Sequence, residues 1–415
     1  MTSFSLANRR ITTIHSMMVA ASVAAGLCWS NATSAQSEQP AAKSPPAAAA
    51  SAPTAAQLEQ WGKSMAQVPT PKNGCFTAQY PKTEWVEVPC TTAPAKPYRP
   101  ARGAQPYAGG KGTDYSAQVT SGLIASASGS FYDITNVTSE TETAQGATGP
   151  ETLTDTFSLQ INTNYFKTPA CAGTSYPKGC VGWQQFVYSN SGLILVQYWL
   201  DSYGTTCPTG WHGFGVDGID CFRNGAMAAR VPHQPISNLK NMVLHASANA
   251  GGSDTISIDV GNGIIVAATN PGSTLDLANG WTTAEFNVFG DCCNFQAAFN
   301  AGATISVETD VDNGPTTKPP SCLEMGFTGE TNNLTVVPPC CPIGRGILFT
   351  QSNAAGAKSM CACPLRATWN PSTRSCACPI EGEVIVNGGC QCPPNTFAHG
   401  GRCECAEPTA GGKCP

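Results

Sequence analysis

Apolar and polar residues alternate with a period of two along most of this chain. Thr156–Asn162 (TFSLQIN) points Phe157, Leu159 and Ile161 one way and Ser158, Gln160 and Asn162 the other, the signature of a half-buried strand. Gly192–Tyr203, Asp254–Val260, Trp281–Phe289, Thr304–Glu308 and Gly346–Thr350 repeat it, with Gly, Asn, Asp and Pro between them. No helical period is sustained. The pattern predicts an all-β, antiparallel two-sheet β-sandwich (concanavalin-like) over residues 71–353, large enough to hold a substantial core. Ala55–Ala66 carries Leu58 and Trp61 at helical spacing and reads as a turn or two of fraying helix.

Three strands share a face with unusual content. In Gly192–Tyr203, Ile194, Val196, Tyr198 and Leu200 form a plain core side; Leu193, Leu195, Gln197, Trp199 and Asp201 lie opposite. In Trp281–Phe289 the core side is Ala284, Phe286 and Val288, and the other carries Trp281, Thr283, Glu285 and Asn287. In Trp183–Ser189, Phe186 and Tyr188 face one way and Trp183, Gln185 and Val187 the other. Alternation therefore gathers amides, a carboxylate and tryptophans on the non-core side. A solvated sheet routinely turns Thr, Asn and Gln outward; exposed tryptophans are less routine. They point to a groove for an extended polymer, peptide or glycan.

The N-terminus sets the compartment. Arg9 and Arg10, the short apolar run Met17–Leu27 and the small residues Thr33-Ser34-Ala35 read as a signal peptide over 1–35, too short in its apolar part to span a bilayer. Cys28 follows Leu27, where an acylated cysteine wants a small neighbour. The expected product is secreted or periplasmic, with an Ala/Pro-rich linker over 36–70. Losing Arg9 and Arg10 lowers the 22 Lys and Arg to 20 against 27 Asp and Glu, a formal charge of −7, which argues against a nucleic-acid partner.

In an oxidising compartment the 21 cysteines become cross-links. Cys75/Cys90, Cys171/Cys180 and Cys207/Cys221 are local couples, each closing a loop worth about 2–3 kcal/mol. Cys322 is a candidate partner for the adjacent pairs Cys292-Cys293 and Cys340-Cys341. Residues 354–415 form a separate Cys-rich module in which C-x-C pairs recur every 11–15 residues, too poor in apolar residues for a core of its own. It resembles EGF-like or inhibitor-like cysteine ribbons. Its odd count of nine cysteines obliges one to bond into the main domain, pair between chains or stay free. Export argues against soft-metal chelation there, and no cofactor or metal is expected.

Gly213-Phe-Gly215-Val-Asp-Gly218 matches G-x-G-x-x-G, but it lies within the Cys207–Cys221 loop in a β context rather than between a strand and a helix. His212, His233 and His245 lack metal-ligand spacing.

Trp183-Gln-Gln-Phe followed by Ile194-Leu-Val-Gln197 resembles the W-V-G-I…I-L-Q-T-G region of the glutamic peptidases called eqolisins, with the same spacing of 14 from Trp183 to Gln197. Ala284-Glu285-Phe286-Asn-Val resembles their A-E-W-I-V, and Asp254–Val260 their D-T-I-E-V-T-V. The likeness covers about residues 180–310, with a more distant one to neprosin-type glutamic peptidases. The family's Asp in W-V-G-I-D-G is Val187 here, its Y-x-A-W-Y-E-W stretch is missing, and the Trp after the Glu is Phe286. The resemblance implies a catalytic pair, Gln197 and Glu285, meeting within one or two hydrogen bonds and open to solvent. It implies substrate contacts from Trp183, Gln185, Trp199, Asp201, Thr283 and Asn287, and acid-pH hydrolysis of a polypeptide. The alternative is a non-catalytic surface module binding a glycan or peptide through the same groove. A third reading makes the tail an inhibitor of other proteases.

Overall fold

The computed structural model describes residues 52–98, 114–146, 149–215, 219–292, 295–315, 318–324, 332–370, 372–386 and 389–405. The signal peptide and most of the Ala/Pro-rich stretch lie outside them. Two large antiparallel sheets carry the fold. One, here the site sheet, runs in the order His212–Phe214, Asp220–Asn224, Leu193–Asp201, Val181–Ser189, Phe157–Thr163, Thr283–Gly290, Tyr115–Gln118 and Ser321–Glu324. The back sheet runs Val86–Val88, Gly74–Gln79, Ile264–Pro271, Ser253–Asp259, Val243–Ala248, Ser126–Thr135, Thr304–Asp312, Gly346–Ser352 and Thr335–Ile343.

Alternation decides which residues meet between the sheets. Leu159, Ile161, Phe186, Tyr188, Ile194, Val196, Ala284, Phe286 and Val288 face Leu244, Ile256, Ile258, Ile305, Val307 and Phe349 in one continuous core. Phe286 lies over Gly129 so closely that a Cβ there would come within 2.0 Å of its ring. Gly129→Ala therefore forces the ring or a strand to move and should cost about 1–3 kcal/mol, the usual penalty of overpacking. A lower urea midpoint with unchanged slope would register it.

Trp281 departs from the sequence expectation. It stacks on Phe186 at 5.8 Å inside the core, and its indole donates to the Thr283 carbonyl at 2.9 Å. The strand begins only at Thr283, so period-two counting does not extend back to Trp281. The N-terminal helix Ala55–Met65 is docked rather than frayed. Thr54 and Gln57 cap it reciprocally, and Trp61 and Met65 are buried against Ala78 and Ile265.

Cys75–Cys90, Cys171–Cys180 and Cys207–Cys221 are bonded as their spacing suggests. Cys322 pairs with Cys340, while the adjacent Cys341 reaches Cys361 at the start of the tail. The odd cysteine of the C-terminal set is thus spent on the sandwich. Cys363–Cys376, Cys378–Cys390 and Cys392–Cys403 then staple three successive two-stranded hairpins. Arg374, at the first hairpin's turn, grips Glu308 of the back sheet with both nitrogens, at 2.9 and 2.5 Å. Tail hairpins and sheets fall in one compact unit that begins at Pro53. Cys378, Glu383 and Cys390 cluster closely enough to hold a cation, but their two sulfurs are joined to each other and are not thiolate ligands. Among the described residues no helix is long and apolar enough to cross a membrane.

Candidate functional site

The outer face of the site sheet carries a row of polar side chains, one from each strand. Register places Asn224 opposite Gln197, Gln197 opposite Gln185, Gln185 opposite Asn162, Asn162 opposite Glu285, and Glu285 opposite Ser116. Gln197 and Glu285 therefore share a sheet, a face and a register line. They do not meet. Three strand steps separate them, roughly 14 Å at about 4.8 Å a step, and both are fully buried rather than open to solvent. Alternation fixes the face a residue points to; strand order, which comes from non-local pairing, fixes how far along that face it sits.

The interval is filled by amides. Asn162 Nδ2 donates to Glu285 Oε2 at 3.0 Å, and Gln185 Nε2 donates to Asn162 Oδ1 at 3.1 Å and to Gln160 Oε1 at 2.7 Å. The carboxamide bonded to Glu285 is thus Asn162, and the glutamine one link beyond it is Gln185, not Gln197. Ser116 Oγ, beside Glu285, is buried and makes no hydrogen bond among the described residues. Asn162→Leu would take a donor from Glu285 and an acceptor from Gln185, both at 0 % exposure. It should lower stability by about 1–3 kcal/mol, read as a fall in the thermal midpoint.

The tryptophans are not groove walls. Trp183 and Trp199 stand side by side at 5.9 Å, both fully buried, with Phe222 stacked on Trp199 at 5.1 Å and Phe214 edge-on to it. The Trp183 indole donates to the Thr163 carbonyl at 2.8 Å and that of Trp199 to Gln185 Oε1 at 2.8 Å. Phe214 and Phe222 come from the short hairpin at the sheet edge, and that hairpin covers the rings. Asp201 is buried at the end of its strand, opposite Val181. Thr283 is buried too, its backbone N–H donating to Asn164 Oδ1 at 3.0 Å. Asn287 pairs in register with Gln160; its amide donates to Asp114 Oδ2 at 3.3 Å and its carbonyl accepts from the Val288 N–H at 2.8 Å.

An irregular segment of the same chain, Thr91–Tyr98, lies across this face. It leaves the Cys75–Cys90 disulfide, pairs with Ala228 through the Thr91 N–H at 2.8 Å, and turns over the polar row. Asn224 Nδ2 donates to the Pro94 carbonyl at 2.7 Å, and Gln197 Nε2 to the Lys96 carbonyl at 2.9 Å. The Tyr98 N–H donates to Gln197 Oε1 at 2.8 Å, and the Tyr98 carbonyl accepts from Gln160 Nε2 at 3.3 Å. Ala93 and Tyr98 are buried against Val187, Leu193 and Leu195. These three outward apolar residues of the site strands are thereby accounted for.

The segment is pinned by an ion pair, Lys96 Nζ to Asp291 Oδ2 at 2.5 Å, with the ammonium 5.0 Å from the Tyr98 ring centre. Asp291 also accepts from Ser189, and its backbone N–H donates to Glu142 Oε2 at 2.6 Å. Burial pushes the Asp291 carboxyl above the usual range although Lys96 pulls it down. Burial pushes Glu142 up to about 7, with the neighbouring Asp291 charge adding to it.

Sequence reasoning missed Asn162, Gln160, Asn224 and Ser116 as members of the site. The signal for two of them was present: alternation had put Gln160 and Asn162 on the polar side of their strand.

No protein-family model and no curated protein matches this chain. Among solved structures, SCP-B, a member of the eqolisin family of peptidases in complex with the tripeptide Ala-Ile-His, is similar at 8 % identity and a TM-score of 0.25. Scytalido-glutamic peptidase with a peptide-based transition-state analogue is similar at 9 % identity and a TM-score of 0.23. Each match covers 57 % of this chain and 96 % of the other. At those values the likeness assigns no role to any residue here.

Proposed function

We propose that the outer face of the site sheet binds an extended polypeptide and hydrolyses it at Glu285. The observation that carries this reading is the Thr91–Tyr98 segment. Beyond the Thr91 N–H, its backbone is held to this face by side-chain carboxamides, from Asn224, Gln197 and Gln160 in succession. Such contacts read a peptide main chain and ignore its side chains. The segment crosses the strands in the direction of Glu285, and a peptide laid along the same line would reach that carboxylate farther on.

In this reading Gln197 is a backbone clamp rather than half of a catalytic pair, since it both donates to and accepts from the segment. Glu285, ionised, takes a proton from a water whose oxygen bonds to the scissile carbonyl carbon. The second N–H of the Asn162 amide, held in place by Gln185, stabilises the resulting oxyanion. Glu285 then returns the proton to the amide nitrogen as the C–N bond breaks. Thr91–Tyr98 occupies the face as a resident peptide, so the protein in this conformation is latent.

The distance between Gln197 and Glu285 favours a second reading, a peptide-binding module without catalysis. A glycan platform is disfavoured because Trp183 and Trp199 are covered. The test is digestion of a denatured protein near pH 4 by Lys96→Met/Tyr98→Ala, which loosens the segment, with and without Glu285→Gln. Cleavage that Glu285→Gln abolishes supports hydrolysis. Peptide binding without cleavage in both leaves the module.

A further inference from the structure

A second site lies at the sandwich edge, away from the polar row. Tyr198 follows Gln197 in the strand and so points inward, to the other side of the sheet. There it lines a cavity of about 520 Å³ together with Arg223, Trp211, Tyr203, Asn270 and Thr274. The Cys171–Cys180 and Cys207–Cys221 loops supply part of the rim, so two disulfides hold its shape.

Arg223 is the cation of this cavity. Its guanidinium lies 5.2 Å from the Trp211 ring centre and 5.9 Å from that of Tyr198. Nη2 donates to Thr274 Oγ1 at 3.3 Å, while Nε is buried and makes no hydrogen bond among the described residues. No carboxylate of those residues lies within ion-pair distance of it. Asp254 acts electrostatically on Tyr198, and burial pushes its own carboxyl up to about 7. The Tyr198 hydroxyl is fully buried and forms no geometrically sound hydrogen bond among the described residues, although Thr274 is close enough to act on it.

A guanidinium stacked on aromatic rings, with a spare N–H and no counter-charge, is suited to a planar anion. The rings beside it offer an apolar wall. We infer that this cavity binds a small organic carboxylate with an aromatic or flat apolar body, the carboxylate on Arg223 and the Tyr198 hydroxyl and the body against Trp211 and Tyr203. The inference does not depend on the hydrolytic reading of the outer face.

Calorimetric titration of the full chain with N-acetylphenylalanine and with its amide tests it. The acid should bind at least tenfold more tightly than the amide. Arg223→Gln should lose at least tenfold, Arg223→Lys should keep part of the affinity, and Lys63→Met, on the exposed side of the N-terminal helix, should bind as the native protein does. Equal binding of acid and amide, no binding of the acid in the millimolar range, or native affinity in a folded Arg223→Gln would each overturn the proposal. The acid–amide comparison on the native protein decides the matter even if the Arg223 variants fail to fold.

Discussion

Acidification from pH 8 to pH 5 should raise the thermal midpoint, by roughly 5–10 °C for a few kcal/mol in a fold of this size. Three carboxyl groups, Glu140, Glu142 and Asp254, are buried where water cannot solvate their charge, and a fourth, Asp310, is half-buried beside Glu308. Burial pushes Glu140 up to about 8 and Glu142, Asp254 and Asp310 up to about 7, with Glu308 adding to the shift at Asp310. Each folded-state pKa lies above its unfolded value near 4. Between those values the folded chain holds more protons than the unfolded one, so stability falls as pH rises through the window. His245 opposes this. Burial lowers it to about 4, so acidification below about 6.5 protonates only the unfolded chain, and that costs stability. Four raised carboxyls outweigh one lowered imidazole. Asp254→Asn should be more stable than the native protein at pH 8 and show a flatter pH profile. A midpoint that stays level or drops between pH 8 and pH 5 would refute this account.

Faces were legible in the sequence; distances along them were not. The strands around Leu159, Val196 and Phe286 could be turned the right way from alternation alone, because one face of each must be apolar to build the core. The same rule put Gln197, Gln185 and Glu285 on one side. It could not say that Val181–Ser189 and Phe157–Thr163 would lie between the Gln197 and Glu285 strands, because that order is set by pairings between distant segments. Nor could it foresee that Trp183 and Trp199 would be roofed by Phe214 and Phe222. The local disulfides were readable because loops of such length close easily. Cys341–Cys361 was legible only as a leftover cysteine, since its partner depends on where the tail docks.

The segment over the polar row should release as the pH falls, and this is the larger functional effect. Lys96 holds it through Asp291; burial raises that carboxyl whereas the ion pair with Lys96 lowers it, and it is this lowering, lost when the segment lifts, that couples protonation of Asp291 to release. The titratable groups facing this ion pair are Glu142, which rises to about 7, and Tyr98 and Tyr188, whose hydroxyls stay protonated because burial raises them further. Protonating Asp291 leaves the half-buried ammonium without its counter-charge, and the Lys96 anchor weakens. The bonds from Gln197 and Asn224 are neutral and do not themselves titrate, so the segment opens only as the ion pair fails. Hydrogen-exchange protection at Lys96 and Tyr98, corrected for intrinsic rates, should therefore drop at least tenfold between pH 7 and pH 4. The core strand Leu193–Asp201 should keep its protection, because the acids that govern global stability change it in the opposite sense. Lys96→Met should show low protection in the segment at both pH values, with cleavage or peptide binding no longer waiting on acid. Protection in the native protein that is constant from pH 7 to pH 4 would mean that the carboxamides alone hold the segment, and that Asp291 does not gate the face.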